Sequence, residues 1–247
     1  MKIINKTILI TGGGSGIGYE AAKLLTADGN KVILVGRTES KIQAAAQSLA
    51  NAVAIQCDIN DEDDVNKLFA MISEDYPELS VLINNAGAAF LYEHGENAGA
   101  FQKATAEFAT NYFSVIRLTE GLIPVLKAQP EAAIVNVTSI AAFAPGAYLP
   151  SYADSKAALR SYTLSLRHTL AKDTGIKVFE LIPPLVNTEF SKEIGGQQNG
   201  MPAIEVAEAL IRGFQNEEYE IQVGQTAEFR KYYLSDPEGA FVMMNQG

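Results

Sequence analysis

The chain has 247 residues, a length that suits one α/β domain or two small ones. Hydrophobic residues make up 47% of it and charged residues 19%, a balance that excludes wholesale disorder. Because 29 acidic residues outnumber 19 basic ones and the net charge is −10, the composition argues against a nucleic-acid partner and against binding to an anionic membrane.

Apolar runs rich in β-branched residues alternate with segments of helical length. The runs predict strands at residues 7–11, 31–35, 53–57, 81–84, 133–138, 177–182 and 220–223. Apolar residues at i, i+3 and i+4 predict helices at residues 17–27, 65–72, 106–126, 152–170 and 203–214. Since the early strands are apolar throughout, a parallel sheet covered on both faces is indicated. Their alternation with helices predicts a doubly wound α/β fold.

The single cysteine and the two histidines limit the chemistry further. Cys57 has no partner for an intramolecular disulfide, which fits a reducing compartment, and we expect a cytoplasmic protein. With one cysteine, and with His94 far from His168 in the sequence, a zinc site is not predicted; carboxylate sites for Mg²⁺ or Ca²⁺ stay open, and no metal ligand is assigned. We predict neither a signal peptide nor a membrane-spanning helix, which needs about 18 consecutive apolar residues.

A glycine-rich stretch joins the first predicted strand to the first predicted helix. Its spacing is G-x-x-x-G-x-G, because Ile17 stands where the generic G-x-G-x-x-G pattern requires its last glycine. A Cβ would obstruct the tight turn and the approach of a pyrophosphate, and the amides at the helix N-terminus would face the phosphates. This context predicts a dinucleotide site, with a plain flexible turn as the alternative. The residues of that site are Gly12, Gly14, Ser15, Gly16, Ile17 and Gly18.

The end of the second predicted strand indicates which dinucleotide is bound. NAD sites usually carry Asp or Glu about 20 residues beyond the glycine loop, where it holds the ribose 2′-hydroxyl. This chain has Gly36 and Arg37 in that region. A guanidinium pairs with a 2′-phosphate, whereas a carboxylate repels it. We therefore predict NADP(H), with a solvated surface arginine as the alternative interpretation of Arg37.

Two Tyr-x-x-x-Lys patterns occur, each of which places both side chains on one helical face. Tyr19 and Lys23 follow the glycine loop, whereas Tyr152 and Lys156 begin the helix after the fifth predicted strand. Ser139 lies near the carboxyl end of that strand, and ligands of open parallel sheets bind outside such ends. The second pair and Ser139 are therefore predicted to converge at one site, and Tyr19 is interpreted as a structural helix residue.

These motifs together resemble the short-chain dehydrogenase/reductase family, of the short, single-domain type. The matching segments occur in family order over about residues 5–190. They are Thr11–Gly18, Cys57-Asp58-Ile59, Asn84-Asn85-Ala86-Gly87, Thr110-Asn111, Thr138-Ser139, Tyr152 with Lys156, and Pro183 to Thr188. The amino-acid sequence of residues 133–139, together with the double proline at residues 183–184, is similar to the DltE-like branch of the family. The resemblance implies a three-layer Rossmann fold with a seven-stranded parallel sheet in the order 3-2-1-4-5-6-7, as one domain over residues 1–247.

The resemblance also implies the catalytic roles. Tyr152 would be the general acid in reduction, Ser139 would hydrogen-bond the substrate oxygen, and Lys156 would bind the nicotinamide ribose. Asn111 would bend its helix and hold a water in a proton relay. A free tyrosine has a pKa of about 10, and a neighbouring ammonium stabilises the phenolate, so we expect a lowered pKa for Tyr152.

The remaining cofactor contacts are carried over in the same way. Asp58 and Ile59 would flank the adenine. Residues Asn85, Ala86 and Gly87 would border the adenosine ribose. The stretch that holds Pro183, Val186 and Thr188 would contact the carboxamide and pyrophosphate region. Pro184 stands where many relatives have glycine; it removes a backbone donor and stiffens the turn.

Several residues are candidates for the substrate side. The segment 191–201 is rich in glycine and glutamine and is predicted to be a mobile loop, a candidate lid within a substrate loop at about residues 189–202. Phe190 and Met201 flank it and either close over an apolar substrate or anchor the loop. Tyr148 either lines the pocket or lies outside it, and His94 either touches substrate or is a surface residue. The aromatic-rich segment 226–247 either covers the pocket or docks on a partner subunit.

The sequence therefore predicts NADP(H)-dependent reduction of a carbonyl, or the reverse oxidation of an alcohol, in a homodimer or homotetramer. The oligomer would pair through the helices at residues 106–126 and 152–170, as the resemblance implies. One alternative is a sugar-nucleotide epimerase or dehydratase, although the extra substrate domain of those longer relatives is missing. The alternative from another class is a catalytically idle NADP-binding sensor or scaffold.

Overall fold

The computed structural model describes residues 1–246 and consists of a parallel sheet between helices. The strands are β1 Thr7–Thr11, β2 Lys31–Gly36, β3 Ala52–Gln56, β4 Leu79–Asn84, β5 Ala132–Val137, β6 Ile176–Ile182, β7 Val186–Asn187, β8 Met201–Pro202 and β9 Glu220–Gln222. The helices are α1 Gly16–Ala27, α2 Glu39–Gln47, α3 Glu62–Asp75, α4 Ala100–Phe108, α5 Ser114–Lys127, α6 Pro150–Asp173, α7 Gly196–Asn199, α8 Ala203–Asn216, α9 Thr226–Ser235 and α10 Pro237–Met244.

The large sheet has seven parallel strands in the order β3-β2-β1-β4-β5-β6-β9. All seven predicted strands are present within one or two residues of the predicted bounds, and the predicted strand order is confirmed. The short strands β7 and β8 form a separate pair.

Alternate residues of β1 enter different halves of the core, which explains why the strand is apolar throughout. Ile8 and Ile10 pack on the side of α1 and α8, whereas Leu9 packs on the side of α3 and α5. All three side chains are fully buried. At about 25 cal/mol per Å² of apolar surface, burial on both faces is the main contribution to the stability of such a sheet.

β1 pairs with β2 on one side and with β4 on the other, so the chain reverses its direction of winding there. The loops after β1 and β4 consequently meet at the carboxyl edge of the sheet. This switch point is where open α/β sheets bind ligands. The fold thus determines the location of the site before any side chain is considered.

The long helix predicted at residues 106–126 is interrupted. A π-helical turn at Ala109–Phe113 separates α4 from α5, and Asn111 is its central residue. Single π turns inside α-helices are frequent at functional sites. The position at which a bend was predicted, Asn111, thus coincides with a change from α-helical to π-helical geometry.

The predicted loop at residues 191–201 is wrong in its secondary structure. It holds the end of a 3₁₀ helix at Glu189–Ile194, then α7 and the first residue of β8. Val186 of β7 pairs with Met201 of β8, so the two ends of the segment are joined. Because these residues are 15 positions apart in the chain, their pairing could not be predicted from local sequence patterns. Helices α2, α9 and α10 were also not predicted from periodicity.

Residues 1–246 contain neither a helix that could span a membrane nor a cluster of side chains that could hold a metal ion. No helix in this range is long and apolar enough to cross a membrane. Groups of three or more His, Cys, Asp or Glu arranged to hold a metal ion are also not found there.

Burial and the neighbouring carboxylates, led by Asp64, raise the pKa of Cys57 to about 12, which makes its thiol a poor nucleophile.

Candidate active site

A cavity of about 290 Å³ opens at the carboxyl edge of the sheet, at the switch point. The predicted site residues on its wall are Gly12, Ser15, Gly16, Ile17, Asn85, Ala86, Gly87, Ser139, Tyr152, Lys156, Pro183, Val186 and Thr188. Gly14, Gly18, Arg37, Asp58, Ile59 and Asn111 are not on its wall. Wall residues that were not assigned individually from the sequence are Val137, Thr138, Ile140, Ala141, Leu149, Leu185, Ser191, Ile194 and Met244. Of these, Ser191 and Ile194 lie in the predicted substrate loop, and Met244 lies in the C-terminal segment that was a candidate cover of the pocket.

The glycine loop turns too tightly for side chains. Gly12 and Gly16 have φ values of +65° and +55°, a region that favours glycine. A Cβ on Gly18 would lie 2.6 Å from Asn85 Nδ2 and 2.7 Å from the carbonyl oxygen of Gly12. Ser15, the N-cap of α1, makes no side-chain hydrogen bond to the helix, so the first amides remain available to an anion. The loop therefore fits a dinucleotide pyrophosphate.

Asn85 attaches the loop after β4 to the glycine loop. Its side-chain Nδ2 donates to the carbonyl oxygens of Thr11 and Gly12 at 3.0 and 3.2 Å. The backbone amides of Asn85 and Ala86 both donate to Thr11 Oγ1, at 3.0 and 3.1 Å. These bonds hold two neighbouring loops in one arrangement, which is what a preformed cofactor cleft needs.

Arg37 and Asp58 follow adjacent strands at the same edge of the sheet. Gly36 pairs with Gln56, and the amide of Cys57 donates to the carbonyl oxygen of Gly36 at 3.1 Å. Arg37 is exposed and takes part in none of the ion pairs within residues 1–246. Its guanidinium therefore meets no internal competitor for a phosphate.

Position 36 also restricts what could replace the glycine. A Cβ there would lie 2.8 Å from Ile42 Cγ2. An aspartate at this position would therefore require the buried Ile42 side chain of α2 to shift. The close packing of α2 on β2 explains the glycine at this strand end.

Tyr152 and Ser139 face the same cavity from different elements. Tyr152 is in the first turn of α6, and Ser139 follows β5 as the N-cap of a 3₁₀ turn. The amide of Ala141 donates to Ser139 Oγ at 3.1 Å, so the Ser139 hydroxyl proton remains free to be donated. Two hydroxyls that can reach one oxygen form a suitable site for developing negative charge.

Burial raises the pKa of Tyr152 to about 12, a shift that the Ser139 hydroxyl opposes and the Glu107 carboxylate adds to. The expected lowering by a neighbouring ammonium is therefore wrong for the protein by itself. Lys156 Nζ lies 5.8 Å from the Tyr152 ring centroid and donates to the carbonyl oxygen of Val137 at 2.8 Å. Burial also lowers the pKa of Lys156 to about 8. Burial therefore dominates the pKa values of both groups, and not the attraction between ammonium and phenolate that the sequence led us to expect.

Asn111 is buried behind the cavity, where all its side-chain polar groups have protein partners. Its Oδ1 accepts from the amide of Ala88 at 2.8 Å, and its Nδ2 donates to the carbonyl oxygen of Ala88 at 2.8 Å and to Ser155 Oγ at 2.9 Å. Asn111 therefore joins the loop after β4 to α6. A water held at this residue would use an oxygen lone pair, because both amide protons are engaged.

Glu107, which sequence reasoning did not single out, is a fully buried carboxylate four residues before Asn111. The amide of Phe90 donates to its Oε1 at 2.7 Å, and the hydroxyl of Ser151 donates to its Oε2. Tyr92 OH donates to Ser151 Oγ at 2.8 Å. The carboxylate thus connects the loop after β4 to the first turn of α6, and burial raises its pKa. A polar residue at a helical core position is the signal that could have identified it.

The open alternatives on the substrate side have different outcomes. Tyr148 and Phe190 are on the cavity wall, whereas Met201 packs against the hydrophobic core. His94 is exposed. Tyr19 OH hydrogen-bonds Ser48 Oγ at 2.9 Å, and Tyr19 is not among the wall residues. Both observations agree with the interpretation of Tyr19 as a structural helix residue.

The sequence and the fold are similar to proteins of one family. Residues 6–199 match the family model for short chain dehydrogenases. The chain is 36% identical to the oxidoreductase DltE of Bacillus subtilis, covering 99% of this chain and 98% of that protein. It is 35% identical to a serine 3-dehydrogenase of Agrobacterium fabrum over 78% of this chain and 77% of that one.

Solved structures show the same fold at lower identity. A short chain dehydrogenase of Burkholderia cenocepacia in complex with NADP superposes with a TM-score of 0.87 at 23% identity, covering 100% of both chains. One from Burkholderia phymatum in complex with NAD also has a TM-score of 0.87, at 20% identity, covering 95% of this chain and 96% of that one.

Proposed function

Because the chain belongs to the short-chain dehydrogenase/reductase family, we propose that it is an NADP(H)-dependent oxidoreductase that interconverts a carbonyl compound and a secondary alcohol. The observation that carries this proposal is the shared position of Ser139, Tyr152 and Lys156 on the wall of one cavity, next to the glycine loop. The bound nicotinamide supplies the hydride.

The chain's own residues donate the proton to the substrate oxygen and stabilise the negative charge that develops on it. The raised pKa of Tyr152 keeps the phenol protonated at neutral pH, which is the form that a general acid needs in reduction. Ser139 donates its free hydroxyl proton to the same substrate oxygen. Lys156 binds the nicotinamide ribose. Asn111 keeps α6 at a set distance from the loop after β4, since it hydrogen-bonds Ser155 and Ala88.

The cofactor is held at the carboxyl edge by the segments that follow β1, β2, β3, β4 and β6. The glycine loop, with Gly12, Gly14, Ser15, Gly16, Ile17 and Gly18, binds the pyrophosphate together with Thr188. Arg37 takes the 2′-phosphate, and Asp58 and Ile59 flank the adenine. Asn85, Ala86 and Gly87 border the adenosine ribose, and Pro183 and Val186 lie along the nicotinamide end.

The proposal is tested by NADPH consumption over a panel of uncharged aldehydes and ketones, monitored as absorbance loss with the purified protein. We expect turnover of at least one panel member together with formation of the matching alcohol. NADPH binding without turnover of any member would contradict the proposal and favour an idle NADP-binding sensor.

Cofactor choice is tested at Arg37. We expect the change Arg37→Leu to raise the Kd for NADPH by about 10- to 100-fold, because a hydrogen bond to a charged group contributes about 1.5–3 kcal/mol. The Kd for NADH should stay within about twofold, since NADH has no 2′-phosphate. Fluorescence titration of both reduced cofactors measures this. The exposed Lys23 provides a matched control in Lys23→Leu, and equal or tighter NADH binding by the parent protein would refute the preference.

We also propose a homodimer or homotetramer that pairs through α4, α5 and α6. Three exposed apolar side chains support it: Phe101 of α4, Phe113 of the π turn between α4 and α5, and Leu164 of α6 are exposed by 79%, 57% and 41%. Exposed apolar side chains grouped on one set of helices are typical of interaction surfaces. The cytoplasmic location likewise remains a proposal.

A further inference from the structure

The cavity beyond the two hydroxyls has an apolar wall built from three separate segments. Leu149 precedes α6, Phe190 follows β7, and Met244 ends α10. The ring centroids of Phe190 and Tyr152 are 6.0 Å apart. A substrate whose carbonyl oxygen meets Ser139 and Tyr152 therefore places a substituent against this wall.

The wall offers almost no charge to a substrate. Among the described residues, Lys156 is the one charged side chain on it, and its Nζ already donates to the carbonyl oxygen of Val137 at 2.8 Å. The buried carboxylate of Glu107 acts on Tyr152 from behind the cavity, so the local field opposes a second negative charge. A carboxylate or phosphate group on the substrate would lose its water here without gaining a counter-ion, which is strongly unfavourable.

The end of α10 is held by hydrogen bonds to the segment that precedes α6, next to this wall. Asn245 Nδ2 donates to the carbonyl oxygen of Pro145 at 3.1 Å, and the amide of Ala147 donates to Asn245 Oδ1 at 2.6 Å. Ala240 of α10 is fully buried in a small apolar cluster with Phe229 of α9. The described part of the C-terminal segment therefore contributes to the cavity of its own chain, which is one of the two roles left open by the sequence.

We propose that the substrate is an uncharged carbonyl compound with an apolar substituent, and that Met244 is a specificity-determining residue that contacts this substituent. The inference rests on the proposed carbonyl reductase function and adds the substrate class to it. It also separates this chain from the relative named serine 3-dehydrogenase, since the residues described on the wall include no free cation for an amino-acid carboxylate.

The charge preference is tested with two matched ketones, methyl benzoylformate and benzoylformate. Both carry the same aryl group and an activated ketone, and they differ in whether the neighbouring carboxyl group is an ester or an anion. We expect kcat/KM to be at least about 100-fold higher for the ester, because the buried anion lacks a partner. With NADP⁺, oxidation of L-serine should be below 1% of the rate with the alcohol product of the ester, about the same penalty.

The role of Met244 is tested with adjacent methionines of α10. We expect Met244→Ala to raise KM for methyl benzoylformate about tenfold, since removal of apolar contacts in a pocket costs about one decade in specificity. The Kd for NADPH should not change. Met243→Ala is the matched control, because Met243 is 58% exposed and is not a wall residue, and its KM should stay within about twofold of the parent.

The outcomes separate the two levels of the proposal. Equal kcat/KM for ester and acid, or efficient L-serine oxidation, overturns the substrate class and leaves carbonyl reduction in place. Equal KM values for the Met244→Ala and Met243→Ala variants overturn the role of Met244. If neither ketone nor any other panel member is reduced while NADPH binds, the carbonyl reductase function itself fails, and the substrate class with it.

Discussion

Replacing Tyr152 by phenylalanine is expected to lower kcat for carbonyl reduction by about 10²- to 10⁴-fold, the range typical of a lost general acid. The variant keeps the ring, its contact with Phe190 and the packing of α6, and it removes one hydroxyl. Without it, the oxygen that becomes negative in reduction has only Ser139 to donate to it. Although Tyr152 is also a predicted cofactor contact, we expect the Kd for NADPH to remain within about twofold, because the variant keeps the ring and the other cofactor-binding residues.

The other Tyr-x-x-x-Lys pair supplies a matched control. Tyr19→Phe removes a hydroxyl that hydrogen-bonds Ser48 Oγ at 2.9 Å and is not on the cavity wall, so kcat should not change. Steady-state rates and fluorescence titration of NADPH measure both variants. A Tyr152→Phe protein with near-normal kcat would refute the assigned proton donor, whatever the cofactor affinity.

The second large effect concerns stability and lies behind the site. Glu180 of β6 is fully buried and pairs with Arg160 of α6, while Thr138 Oγ1 donates to its other oxygen at 2.8 Å. Arg160 also contacts Glu220 Oε2 at 3.3 Å and lies 4.8 Å from the Phe143 ring centroid. The guanidinium thus neutralises a carboxylate that has no access to water.

We expect Arg160→Met to lower the free energy of unfolding by about 3–5 kcal/mol, because it leaves a buried charge without its partner. Chemical denaturation monitored by circular dichroism measures this. Arg212→Met is the control: Arg212 and its partner Glu208 are exposed by 61% and 53%, and their nearest atoms are 3.9 Å apart. Such surface pairs contribute little, so the control should differ from the parent by less than about 1 kcal/mol.

The pH dependence of this effect has a definite sign. Burial raises the pKa of Glu180 above its ordinary value in spite of Arg160, and loss of Arg160 removes the main lowering influence. A carboxyl with a raised folded-state pKa binds its proton more readily in the native state, so stability increases as the pH falls through that pKa towards the ordinary value of the unfolded chain. The Arg160→Met defect should therefore be smaller at about pH 5 than at about pH 8. A defect no larger than that of Arg212→Met, or one that grows on acidification, would contradict this account.

Local patterns were sufficient for the strands and the glycine loop. Runs such as Ile8 to Ile10 must be buried on both faces, so their composition already indicates a covered parallel strand. The strained turn at Gly12 and Gly16 likewise follows from residues adjacent in the chain, because only glycine adopts those φ values without strain.

The electrostatics of the site could not be predicted in this way. The pKa of Tyr152 depends on how much water reaches it and on the carboxylate of Glu107, which is 45 positions earlier in the chain. The same packing gives Lys156 a backbone partner at Val137, and burial rather than this lysine dominates the pKa of the phenol. These are sums over long-range contacts, and sequence spacing does not contain them.

The sequence by itself determined the family, the seven strands of the large sheet with several of the helices between them, and the residue types that can bind a dinucleotide and move a proton, since these follow from short-range periodicity and from motifs in fixed order. Tertiary structure alone decided that Met244 from the far end of the chain completes the cavity wall, and that burial rather than the lysine governs the acidity of Tyr152. The physical reason is that desolvation and enclosure are produced by segments distant in sequence, which meet only when the sheet edge brings their loops together.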